Sequence, residues 1–358
     1  MCGAIRDKWA SLGWENSFLG YPVTDETATP DGVGRYNLFQ GGSIYWTPST
    51  GAHEVHGAIG GLWSKFGCER SFLGYPLTDE TVTPDGVGRY NHFQGGSIYW
   101  SPSTGAHCVY GAIRDKWAAL GWERSWLGYP TSDEQPFSEG GRVSTFERGA
   151  IYWWPDTGAI DMGNICVRYK GLACFSTTFG SGSDEPYAIL GVVPTPPTAG
   201  SSVRTVIYNG VDGGDSREDD IELYRGLPYG LSLSVALMEH DAGDPDKYRK
   251  TVEEAVKQGS SAVAAGVGTI PYVGPFLAPI AKVFLEDIGP DIVEEVNSLL
   301  GTDDDYVGSA SFFVSGKDMV TMARAEPKNF RGIIWHLDSP LISGDGADYK
   351  VYIGIWAV

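Results

Sequence analysis

The chain has 358 residues, the length of about two domains, and its 42% hydrophobic content is enough to build a core in each. The net charge of −19 divides into about −7 over residues 1–162 (18 acidic against 11 basic side chains) and about −12 over the rest. A field of that sign excludes long-range attraction to nucleic acid or to anionic membranes and leaves neutral ligands and cations.

The first element in chain order is a helix. Ile5, Trp9 and Leu12 fall at helical spacing, and Gly13 suits a helix stop. Leu19-Gly20-Tyr21-Pro22 follows, a turn that cannot be helix interior. Residues 33–39, Gln40-Gly41-Gly42 and Ser43-Ile44-Tyr45-Trp46 then read as strand, glycine turn and strand, a hairpin closed by a second turn at 47–51. The pattern begins again at Gly57 and at Gly111. Three copies therefore occupy 3–56, 57–110 and 111–162, and copies one and two agree at 40 of 54 positions. A period of this size signals an array in which neighbours cover one another's apolar faces, and a helix plus a hairpin per unit predicts an α+β array, propeller-like or superhelical.

The five cysteines do not follow the repeat. Cys68 stands where the other copies have Trp14 and Trp122, and Cys108 stands where copy one has Glu54. Cys166 and Cys174 are the one pair left that could bridge, Cys2 being alone, so no disulfide framework is expected. The sequence opens inside a repeat and no basic-then-apolar stretch precedes it, so no signal peptide is expected. The chain is expected to be secreted or at the cell surface, or cytoplasmic if it is made without a leader.

Leu19-Gly20-Tyr21-Pro22, Leu73-Gly74-Tyr75-Pro76 and Leu127-Gly128-Tyr129-Pro130 resemble the Leu-Gly-Phe-Pro signature of LGFP repeats. The flanking Trp helix, the Asp-Glu after the turn and the Gln-Gly-Gly-Ser-Ile-Tyr-Trp strand agree with it. The resemblance implies attachment to cell-wall polysaccharide or a related glycan.

Three features of the unit are candidate ligand contacts. One is the pair after the turn, Asp25-Glu26, Asp79-Glu80 and Asp133-Glu134, whose carboxylates suit sugar hydroxyls; adjacent side chains in one turn do not make the opposed pair that glycoside hydrolysis uses. The second is the loop running into the hairpin, Arg35-Tyr36-Asn37 and Arg89-Tyr90-Asn91. Copy three is one residue shorter there and keeps only Arg142. It is altered, or it is a cap. The third is the strand of Tyr45-Trp46, Tyr99-Trp100 and Tyr152-Trp153, beside Gln40 and Gln94, where alternation sends one ring inward and the other out. Trp46, Trp100 and Trp153 are the stacking candidates. Threefold repetition favours repeated binding over one catalytic centre.

Residues 163–358 read as short strands, an antiparallel β-sandwich pattern with a helical insertion at about 246–302. Ser183-Asp184-Glu185-Pro186-Tyr187, the strand ending Glu239-His240-Asp241, and Asp304-Asp305-Tyr306-Val307-Gly308 resemble the calcium loops of C2 domains. The resemblance implies Asp184, Glu239, Asp241 and Asp305 as calcium ligands. Thr178 stands where a first-loop Asp is expected. Within the insertion, 260–285 is nearly uncharged and long enough to reach across a bilayer, but Pro271, Pro275 and Pro279 break any single helix.

These readings converge on a non-catalytic, lectin-like or cell-wall-glycan-binding protein whose partner is a glycan. Calcium is the one candidate cofactor, nucleic acid is not a partner, and homo-oligomerisation is left open. The alternative is a membrane-acting toxin that the repeats target and whose 260–285 segment inserts.

Overall fold

The computed structural model describes residues 3–179, 182–195, 201–240 and 304–358. Two compact units result: Met1–Pro136 with Gly141–Met162, and Phe137–Gly140 with Gly163–Val358.

In the first unit each copy opens with a ten-residue helix: α1 (Gly3–Leu12), α2 (Gly57–Phe66) and α3 (Gly111–Leu120). Ile59 and Trp63 of α2, one turn apart, are buried, as are Ile113 and Trp117 of α3. Gly67 ends α2 at φ 107°, donating to Ser64 and Trp63 carbonyls, and Gly121 does the same for α3. The next residue, Cys68 or Trp122, also takes a positive φ, as Trp14 does after Gly13.

Each helix is followed by four antiparallel strands, where the sequence suggested one hairpin. They are β1 (Thr27–Ala28), β2 (Arg35–Leu38), β3 (Gly42–Thr47) and β4 (Gly51–His56); β5 (Thr81–Val82), β6 (Arg89–Phe93), β7 (Gly96–Ser101) and β8 (Gly105–Tyr110); and β9 (Gln135–Phe137), β10 (Gly141–Phe146), β11 (Gly149–Trp154) and β12 (Gly158–Met162). Each sheet is a meander in chain order. The outer strands were missed for a physical reason. The first is two or three residues long, and the last, Gly-Ala-His-x-Val in copies one and two, lacks an apolar alternation.

The helices close the gaps between copies. Trp63 of copy two meets Tyr45 of copy one edge-on with centroids 4.7 Å apart, and Trp117 of copy three meets Tyr99 of copy two at 4.6 Å. Tyr45, Val55, Ile59, Trp63, Leu73 and Ile98 accordingly form one buried cluster that spans copies one and two.

The second unit holds two larger antiparallel sheets. Its strands are β13 (Ile165–Ser176), β14 (Pro186–Pro194), β15 (Ser201–Arg204), β16 (Ser216–Gly226), β17 (Gly230–His240) and β18 (Asp304–Ser315), then, after the helix α4 (Gly316–Met322), β19 (Lys328–Phe330), β20 (Ile333–Trp335), β21 (Leu337–Asp338), β22 (Ile342–Gly344) and β23 (Ala347–Ala357). One sheet runs β16-β13-β23-β21 with β22 also on β23, and the other runs β15-β14-β17-β18. Cys68, Cys108, Cys166 and Cys174 are all free thiols, so the one pairing that the sequence left open is not made. The 260–285 segment and the rest of the helical insertion expected at about 246–302 lie outside the described residues, and no described helix is long and apolar enough to cross a membrane.

Candidate functional site

The repeated polar residues separate into two groups, one that joins the copies and one that lines a cleft.

The joint is built from the turn and loop signatures. The Tyr75 hydroxyl of copy two donates to Asp31 of copy one at 2.7 Å and lies 2.8 Å from Thr29 Oγ1. Tyr129 of copy three repeats this on Asp85 (2.7 Å) and Thr83 (2.8 Å) of copy two. The tyrosine enters only because the loop has glycine beside it: a Cβ on Gly34 would stand 2.8 Å from the Tyr75 ring, and one on Gly88 would stand 2.6 Å from Tyr129. Burial pushes both phenols up to about 12, against the lowering effect of the Thr29 and Thr83 hydroxyls. Asp79 completes the first joint, accepting from Lys8 (2.6 Å), His53 (3.3 Å) and the Glu54 amide (3.3 Å). Burial acts to raise its pKa, but the His53 and Lys8 hydrogen bonds outweigh it and hold the carboxyl at about 2. Asp133 takes the Cys108 amide at 2.8 Å in the second joint.

Several sequence candidates are therefore structural. Asn37 and Asn91 are fully buried and donate to the Thr24 and Thr78 carbonyls at 2.8 and 2.9 Å, so they cannot reach a ligand. Gln40 and Gln94 turn their oxygens onto the Tyr21 and Tyr75 amides, a task Glu147 performs for Tyr129 in copy three. Tyr36 and Tyr90 stack on Tyr45 and Tyr99 with centroids 5.2 and 5.1 Å apart. Asp79 and Asp133 belong to the joints, while Asp25 of copy one is exposed.

Glu, Arg and Trp remain. Arg35 lies across the ladder from Trp46, Arg89 from Trp100 and Arg142 from Trp153, so each pair shares one face of its sheet. A carboxylate from the preceding turn fixes each arginine: Glu26 on Arg35, Glu80 on Arg89 at 3.5 Å and Glu134 on Arg142 at 2.8 Å. The glutamates are sheltered, with 7–12% side-chain exposure, and the arginines are open at 35–47%. In copy three these groups line a cleft of about 370 Å³ with Tyr110, Gly111, Ala112 and Ile113. Arg142 reaches over it to donate to the Tyr110 hydroxyl at 2.8 Å. The floor is the start of α3, whose first turn has no side-chain cap, so its amide groups are available to an acceptor.

No sequence signal marks the cleft's lip. Tyr110 and its counterpart His56 differ in type, and comparing copies discards whatever varies. His56 sits between two carboxylates, Glu54 at 2.6 Å and Glu80 at 3.4 Å. Burial works against its cation, but the hydrogen bond and charge of Glu54, with Glu80, raise its pKa above the usual histidine value. Glu80 is raised in turn, by burial and by the charge of Glu54.

In the second unit Asp184 is 3% exposed, and its carboxylate accepts from the Thr178 amide and hydroxyl and from Tyr349, the last at 2.6 Å. Thr178 and Asp184 thus bond to each other. Glu239 accepts from the Glu185 amide at 3.1 Å. Asp241 lies outside the described residues, and of Asp305 only the backbone pairing with Glu239 is described. Among the described residues no group of three or more His, Cys, Asp or Glu stands placed to hold a metal ion.

A three-copy array of helix-linked β-meanders with one Glu–Arg–Trp set per copy is a repeat protein of the modular kind. The chain carries three LGFP repeats, which match residues 19–71, 73–125 and 127–173. Each match opens on the Leu of the Leu-Gly-Tyr-Pro turn, so the first two frame the sheet of one copy with the helix of the next, and the third runs on into β13. No curated protein matches the chain.

Proposed function

We propose that the repeats bind carbohydrate without catalysis, through clefts built on Glu26–Arg35–Trp46, Glu80–Arg89–Trp100 and Glu134–Arg142–Trp153. The observation that carries this reading is the copy-three cleft, in which a half-buried Trp153 ring stands on the same sheet face as Arg142. A flat apolar ring beside fixed donors and acceptors suits a sugar, which has an apolar face and hydroxyls at its edge. Pairing with Glu134 neutralises Arg142, so the cleft favours a neutral hydroxylated ligand over an anion. Glu134 is the one carboxylate in the cleft, whereas glycoside hydrolysis in general needs two. The partner class is a cell-wall polysaccharide or a related glycan, consistent with the surface setting common to LGFP repeats.

Glycan-array binding of the intact chain, repeated with Trp46, Trp100 and Trp153 all changed to Ala, tests the reading. Binding by the parent that the triple variant loses supports it. A parent chain with no signal, or a variant that keeps the full signal, overturns it.

A further inference from the structure

The two ends of the repeat array are built differently, and the difference specifies a binding partner. In each joint a copy offers a set of side chains to the copy before it. Copy three offers Trp117 to Tyr99, Trp122 to Tyr99 at 5.7 Å, Tyr129 to Thr83 and Asp85, and Asp133 to the Cys108 amide. Copy two offers Trp63, Tyr75 and Asp79 in the same way. Glu69 and Glu123 are covered at these joints, at 8% and 6% exposure, as are Tyr75 and Tyr129, at 4% each.

Copy one carries the same set, and among the described residues that set is open. Tyr21 is 59% exposed and Trp14 is 41% exposed. Glu15 and Asp25 are exposed as well, and Trp9, the counterpart of fully buried Trp63 and Trp117, is half-buried, keeping the edge-on contact to Trp14 that Trp117 makes to Trp122. The far end is sealed. Copies one and two hold Thr47 and Ser101 at the last position of the third strand; copy three holds Trp154, fully buried, with its Nε1 2.4 Å from where a Gly141 Cβ would stand. Gly141 is the counterpart of Gly34 and Gly88, so the Trp154 ring fills the slot that a following copy's tyrosine would take. The Thr-Pro-Asp-Gly loop is also missing from copy three, where Phe137–Gly140 belongs to the second unit.

We propose that the face formed by Trp9, Trp14, Tyr21 and Asp25 is an open half-joint that docks one further LGFP repeat through that repeat's Thr-x-Asp-Gly loop. The shape of the partner is set by the two closed joints. It presents a threonine and an aspartate to the Tyr21 hydroxyl, a glycine beside the ring, a strand tyrosine to Trp9 and Trp14, and a backbone amide to Asp25. A second copy of this chain cannot supply that loop, because its two such loops are already occupied by Tyr75 and Tyr129.

The test adds a duplicate of residues 57–110 directly ahead of Gly3 in the full chain, a junction identical in its first residues to the one at Gly111. Tyr21→Phe is then compared in the parent and in the extended chain, with Tyr75→Phe as the reference for a closed joint. The expected result is no change in the unfolding equilibrium constant from Tyr21→Phe in the parent and a change of about tenfold in the extended chain, near that of Tyr75→Phe, as a lost hydrogen bond to a carboxylate requires. Nitration of Tyr21 by tetranitromethane is expected in the parent and blocked in the extended chain. An equal effect of Tyr21→Phe in both chains, or Tyr21 still reactive in a folded extended chain, overturns the proposal. So does a parent that sediments as a dimer and is returned to monomer by Tyr21→Arg, because the face would then serve self-association.

Discussion

The joints and the clefts draw on the same repeated polar residues but use them in opposite ways. At the joint, Tyr129 is covered and its hydroxyl is committed to Asp85. At the cleft, Arg142 is held by Glu134 and donates to the Tyr110 hydroxyl, yet its side chain stays 35% exposed. Two neighbouring residues in one turn show the division: Asp133 takes the Cys108 amide of the preceding copy, while Glu134 holds its own arginine. Repetition in a sequence marks what every unit needs, and a unit in an array needs its neighbours as much as its ligand.

The sharpest way to break this comparison is at the buried end. Trp117→Ala removes a fully buried ring packed on Tyr99, Trp122 and Phe146, and is expected to cost about 3–5 kcal/mol in chemical denaturation. Tyr129→Phe, which leaves the Asp85 carboxylate without that donor, is expected to cost about 1–3 kcal/mol in the same assay and to leave copy-three glycan binding unchanged. Trp153→Ala should give the opposite emphasis, with binding at the copy-three cleft reduced at least tenfold and a smaller loss of stability than Trp117→Ala, because the ring is half-buried at the edge of the core cluster. A Trp153 variant that unfolds as readily as Trp117→Ala would place that ring in the core.

Much of the joint could be read from the sequence only as repetition. Leu-Gly-Tyr-Pro stands out in each copy and Thr-Pro-Asp-Gly in copies one and two, but their contact crosses 44 residues, from Asp31 to Tyr75, and no local periodicity carries it. The helix and the strands around Tyr45-Trp46 were legible because Ile5, Trp9 and Ile44 keep their periods. The inward Tyr and half-buried Trp follow from strand alternation. Asn37 and Asn91 were misplaced as ligand contacts because a buried amide that satisfies a turn has the same sequence signature as one exposed on a loop. Copy three's role as a cap was suggested by its shortened loop, but the means, Trp154, was hidden because it extends an already aromatic strand.

Two smaller effects, in pH, sharpen the contrast between the copies. His56 has its folded pKa raised above the unfolded value near 6.5, so its contribution to stability is fully present below that value and is lost as pH rises through the folded pKa. The stability difference between the parent and His56→Gln should therefore shrink between slightly acid and mildly alkaline pH, and a difference that grows would contradict the Glu54–His56–Glu80 contact. Asp79 behaves in the reverse sense. Its pKa is depressed to about 2, so its contribution is present above the usual aspartate pKa near 3.9 and is lost as pH falls towards 2. Asp79→Asn should remove that acid-side loss in a pH series of unfolding midpoints.

The cross-strand pairing of arginine and tryptophan sets a counting rule for the whole repeat. Arg35 to Trp46, Arg89 to Trp100 and Arg142 to Trp153 are each eleven residues apart, although copy three is one residue shorter ahead of its arginine. The deletion is silent because it falls outside the ladder. One residue gained or lost between the two would invert the parity of a strand and send one of the pair through the sheet to its other side. The loop can drift in length as the repeat evolves, and the interval from Arg to Trp cannot.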